Sequence, residues 1–153
     1  MTIQSCKNLL RCAAVTAMFA GCALASNHHS MNGTWQLIPA RSEFNGEPAI
    51  QTGTVTVNDR EGNIYVQRNF NFDDPGRSVS NSFSTDAREK TSIKDKETGF
   101  KSKAKWAGNV LTVTTEQDGR TVMERYSLLV DGAMMLQIDR PGHQPETLYF
   151  HRQ

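Results

Sequence analysis

The stretch Phe100-Lys101-Ser102-Lys103-Ala104-Lys105-Trp106 alternates an apolar or small residue with a lysine along its whole length. Successive side chains of a β-strand point to opposite faces, so this alternation puts Phe100, Ser102, Ala104 and Trp106 on one face and three lysines on the other. Working outward, Val110-Leu-Thr-Val-Thr-Thr115 repeats the period and runs into Asp118-Gly119. That dipeptide is favoured in two-residue hairpins, where both positions take positive φ. Thr121–Val130 returns, Asp131-Gly132 turns again, and 134–138 and 147–152 complete the second half. Toward the N-terminus, 78–83, 64–70, 53–57 and 33–38 show the same alternation between turn signals. Residues 84–98 leave room for one helical turn at most. The reading is all-β, with about eight to nine strands joined by short turns, hence antiparallel. Closing such a sheet removes its exposed edges, which favours an up-and-down barrel, with a two-sheet sandwich as the alternative.

Residues 1–25 follow another rule. Lys7 and Arg11 precede an uncharged run of small and apolar residues, Cys12 to Ala25. A positive start, an apolar stretch and small residues at a cleavage site form an export signal. The run is too short and too rich in alanine and glycine for a membrane-spanning helix of roughly 20 apolar residues. Two cleavage sites compete. Ala23-Leu24-Ala25 is an A-x-A site that releases a soluble periplasmic or secreted chain beginning at Ser26. Phe19-Ala20-Gly21-Cys22 resembles the lipobox of bacterial lipoproteins, with phenylalanine where leucine is usual. That resemblance implies a lipid on Cys22, and Ala23 after it implies an outer-membrane anchor facing the periplasm. Residues 26–32 read as a polar tether and 33–153 as a single barrel domain.

Composition excludes several classes. The chain has 17 lysines and arginines against 16 acids, and loss of residues 1–25 leaves a net charge of −1. A domain so near neutrality has no field to attract nucleic acid. All three cysteines (Cys6, Cys12, Cys22) precede Ala23, so the barrel has no thiol for a disulfide or a metal. His28-His29 lacks a third ligand nearby, and no His-x-x-x-His, Gly-x-Ser-x-Gly or cysteine–histidine pair is present. A non-enzyme without cofactor or metal is expected.

Gly33-Thr34-Trp35 early and Arg152 late are similar to the lipocalin and calycin group of barrels. The resemblance implies a Gly-x-Trp on the first strand and a late arginine packed over its indole. Arg152 shares parity with Leu148 and Phe150, and a stack on Trp35 would contribute about 0.5–2 kcal/mol. This makes Gly33, Trp35 and Arg152 the structural signature. The group's middle Thr-Asp-Tyr motif and its C-terminal helix have no counterpart. Gly33-Thr-Trp-Gln-Leu-Ile-Pro-Ala-Arg-Ser-Glu-Phe44 and Lys105-Trp-Ala-Gly-Asn-Val-Leu111 more closely resemble small exported lipocalin-like proteins of bacteria. That likeness implies a fold and an address rather than a chemistry.

Candidate binding residues follow from the inward parity. Trp35, Phe70, Phe100, Trp106 and Tyr126 are large inward aromatics, and Phe44 and Ile50 sit in the connection after the first strand. In lipocalin-type barrels that connection lies over the ligand mouth, so Phe44 and Ile50 either cap a cavity or plug a filled barrel. Lys101, Lys103 and Lys105 form an outward stripe, which reads either as an anion-binding face or as a guard against edge pairing. The function expected is a non-enzymatic cell-envelope binding protein carrying a small apolar or amphipathic ligand. The alternative is a filled-barrel interaction or structural protein acting through its loops or its lysine face.

Overall fold

In the computed structural model, which describes residues 28–60, 62–73, 78–86, 92–94 and 101–153, alternation has become ten antiparallel strands. The cleavage sites, Cys22 and Phe100 lie outside the described residues. The strands are β1 Gly33–Leu37, β2 Ile50–Arg60, β3 Asn63–Phe72, β4 Ser78–Asp86 and β5 Ser92–Lys94. The second half supplies β6 Lys101–Ala107, β7 Val110–Gln117, β8 Arg120–Leu128, β9 Met134–Asp139 and β10 Glu146–Arg152. Nine correspond to the alternating segments of the sequence. The tenth, β5, lies where only a helical turn was expected: three residues are too few to establish a period of two.

One sheet contains all ten, in the order β4-β3-β2-β1-β10-β9-β8-β7-β6-β5. This is an up-and-down barrel and not a sandwich, since every hydrogen-bonded neighbour except the β1–β10 pair is also a sequence neighbour. The two ends of the order, β4 and β5, lie close without a ladder between them, and β4 also approaches β6. The hairpin at Asp118-Gly119 forms as expected, with φ of 51° and 72° joining Gln117 to Arg120.

Alternation decides what is buried. On β2, Gly53, Val55, Val57 and Asp59 face in; on β6, Ser102 and Ala104 face in while Lys101, Lys103 and Lys105 are exposed. At one end a 3-10 turn, His28–Met31, seals the floor. Met31 is buried there, and its carbonyl accepts the Trp35 indole N–H at 2.9 Å. The Asn32 side chain imitates a strand: its Oδ1 accepts the Asp59 backbone N–H at 2.7 Å and its Nδ2 donates to the Asp59 carbonyl at 3.1 Å. These bonds satisfy backbone groups that burial would otherwise leave costly.

Candidate functional site

β8 presents Arg120, Val122, Glu124 and Tyr126 to the interior, and β3 presents Val66, Arg68 and Phe70 across from it. Parity therefore carries one carboxylate and one guanidinium deep into the barrel. They meet: Arg68 Nη1 donates to Glu124 Oε1, and Tyr126 Oη donates to Glu124 Oε2 at 2.8 Å. Both carboxylate oxygens are used, as a buried charge requires. Burial, reinforced by the Glu124 charge, pushes the Tyr126 phenol well above its ordinary range. For Arg68, burial works toward a lower pKa, but Glu124 and Tyr126 outweigh it and the net direction is upward. The guanidinium thus stays charged and neutralised in place.

Below this polar layer the described interior is tightly packed. Leu136, Leu148, Phe150 and Val66 expose none of their surface, and Trp35 exposes 1%. A side chain lining a water-sized void would show accessible area, so no such space touches these residues.

Above the layer there is room. The β7–β8 hairpin and the β9–β10 turn flank a cleft of about 760 Å³. Thr115, Arg120 and Val122 form one wall, Arg140, Pro141 and His143 the other, and Asp118 lies at the hairpin tip. A second space of about 140 Å³ lies under the 44–50 connection, floored by Ile50, Phe70, Phe72 and Ile138. Arg140 lines both spaces, held by an ion pair with the buried Glu146.

The connection from β1 to β2 is stitched down along this rim. Glu43 and Thr147 exchange both backbone hydrogen bonds, at 2.8 and 2.9 Å. Asn45 Nδ2 donates to the Pro145 carbonyl at 2.5 Å, and His143 Nδ1 lies 2.6 Å from Glu47 Oε1. Farther back, Arg41 pairs with Asp131 at 2.8 Å and stacks on Tyr149 at 4.3 Å. The Ala133 backbone N–H, with Arg41 second, lowers the Asp131 pKa.

The residues expected to bind do not gather in one place. Ile50 and Phe70 line the smaller space. Trp35 belongs to the packed floor and Tyr126 to the polar layer, both without accessible surface to offer a ligand in this state. Phe44 and Trp106 are half-buried against the core and line neither space. The floor geometry matches the expected stack, with the Arg152 guanidinium 4.4 Å from the Trp35 ring centre. Arg152 itself is largely exposed, reaching over the floor from outside and donating to the carbonyls of Asn32 and Ser30. Arg68, Glu124, Arg140 and Glu146 were missing from the expected site. Their signal was parity: Arg68, Glu124 and Glu146 share the inward register of apolar neighbours on their strands, and Arg140, just past β9, continues the parity of Leu136 and Ile138.

Comparison with solved structures fits this architecture. The fluorescent protein UnaG superposes with a TM-score of 0.61 at 15% identity, over 82% of this chain and 98% of that one. The fold is calycin-type. Fatty-acid-binding protein 1 of Echinococcus granulosus matches at TM-score 0.59 and 11% identity, over 81% of this chain and 98% of its own. The fatty acid binding protein of Schistosoma mansoni, solved with arachidonic acid, matches at 0.56 and 15%, over 81% and 96%. The sequence matches no known family model and no curated protein. Within the calycin-type barrel, the charged layer and the stitched rim are therefore read from this chain's own residues.

Proposed function

We propose that this chain is a non-enzymatic carrier of the cell envelope that holds a small amphipathic molecule at the mouth of its barrel. The observation that carries the reading is the cleft of about 760 Å³, a volume typical of ligand sites, sharing its Arg140 wall with a smaller space that has an apolar floor and a charged rim. Barrels of the same fold that bind fatty acids lend it support. The ligand's place moves from the deep interior, where the described side chains are packed, to the rim. The envelope address rests on the export-signal pattern of residues 1–25 and on the lipobox resemblance that ends at Cys22. Cys22→Ser is expected to release the protein from membranes, and a lipid-free mature chain beginning at Ser26 would rule the anchor out.

The test of the carrier reading is titration with N-phenylnaphthylamine, a neutral apolar dye whose emission rises on binding. Wild type is expected to bind it, and Val122→Trp, which fills the cleft from a half-buried position, is expected to weaken binding about tenfold or more. No binding to wild type would favour the second reading, an interaction protein acting through loops or the lysine face. The packed lower barrel is the observation behind that alternative.

A further inference from the structure

Resting on the carrier reading, we infer that the ligand is an anionic amphiphile whose charged group stays at the barrel mouth on Arg120 and does not enter the interior. Three observations combine. First, among the described residues the inward side chains below the polar layer, such as Val66, Leu136, Leu148 and Phe150, have no accessible surface. Second, the one deep cation of the described interior, Arg68, is already matched by Glu124, whose second oxygen is taken by Tyr126. An anion approaching Arg68 would shed its water only to meet a carboxylate, and desolvation of a charge without net attraction is unfavourable.

Third, the cleft wall offers a cation that is not committed. Arg120 stands on the inward register of β8, two pleat steps above Glu124, is exposed, and makes no ion pair among the described residues. Across the cleft, Arg140 and His143 are each held by a carboxylate, Glu146 and Glu47. Asp118 is the carboxylate on the cleft wall itself, at the tip of the hairpin that carries Arg120. A guanidinium fork in this position grips a carboxylate, sulfonate or phosphate through two parallel N–H donors while the anion keeps part of its hydration. The apolar part of the molecule then lies past Arg140 toward Ile50, Phe70, Phe72 and Ile138, in a space suited to one ring or a short chain, whose two carboxylates, Glu47 and Glu146, are paired with His143 and Arg140.

Two dyes with the same anilinonaphthalene body test this: anilinonaphthalene sulfonate, which is anionic, and N-phenylnaphthylamine, which is neutral. Wild type is expected to prefer the sulfonate by about tenfold at low salt, a charge-assisted contact's worth, with the preference shrinking as salt is added. Arg120→Ala is expected to abolish the preference by weakening the sulfonate about tenfold more than the neutral dye, with the melting temperature unchanged. Arg120→Lys is expected to restore part of it. If both dyes bind and Arg120→Ala leaves the preference intact, the placement of the charged group is wrong and the carrier reading survives. If neither dye binds wild type, the carrier reading falls and this inference falls with it.

Discussion

Gly33 has a φ of +135°, and a Cβ built there would lie 3.0 Å from Arg152 Nη1. The glycine of the Gly-x-Trp signature is therefore required twice, by its backbone conformation and by the guanidinium that passes over it toward the indole. Arg152 joins the floor through a ring contact and two carbonyls, so Arg152→Ala is expected to destabilise by about 1–2 kcal/mol and to shift the Trp35 emission. Denaturant melts followed by fluorescence would read both effects. Tyr126 makes a different prediction. The folded state holds its phenolic proton more tightly than the unfolded chain does, because of burial and the Glu124 charge. The stabilisation is whole below the ordinary phenol pKa of about 10 and is lost as pH rises through the higher folded value. Tyr126→Phe is expected to cost about 1.5–3 kcal/mol at neutral pH, since it leaves one oxygen of the buried Glu124 without its donor, and to flatten the decline of stability above pH 10, as seen in melts across the alkaline range.

At the scale of elements, the segment between β1 and β2 is the least regular and the most heavily tied. Phe44 packs half-buried against the core while its neighbours Glu43, Asn45 and Glu47 bond to β10 or to the β9–β10 turn. The ring is neither a free lid nor a central plug. Phe44→Ala is therefore expected to cost about 1–3 kcal/mol, below the loss for a fully buried ring, and to speed amide exchange across residues 44–49. Most strands were legible because one face of each meets the core and the other meets water, which writes a period of two into the sequence. The strand β5 was not, since Ser92–Lys94 is too short for a period to emerge. The polar layer was hidden for another reason. Arg68 and Glu124 occupy inward positions, but an apolar-only reading of the inward face passes over charged residues, and their partnership spans 56 positions in the chain. The cleft escaped altogether, because volume comes from how turns are spaced and no residue type announces it.

At the scale of the whole molecule, the sheet of described strands has one seam. β4 and β5 each have a single laddered neighbour, whereas β1 and β10 lie in the middle of the order with ladders on both sides. Backbone amides of β4 and β5 that face the seam are expected to exchange faster than those of β1 and β10, by hydrogen-exchange mass spectrometry or NMR. The central β1–β10 ladder has one more consequence, which concerns time and not shape. Trp35 pairs with Arg152 and Leu37 with Phe150, so the first strand of the described barrel finds one of its two partners only in the tenth. During synthesis the hairpins β2–β3 and β7–β8 can form as soon as they emerge, but each half waits unjoined until Glu146–Arg152 is released. The two halves of the barrel therefore cannot join before β10 is available, and the joining step brings together residues as far apart as Trp35 and Arg152, which makes it the slow one. The strand that seals the barrel is also the clock that says when folding is allowed to finish.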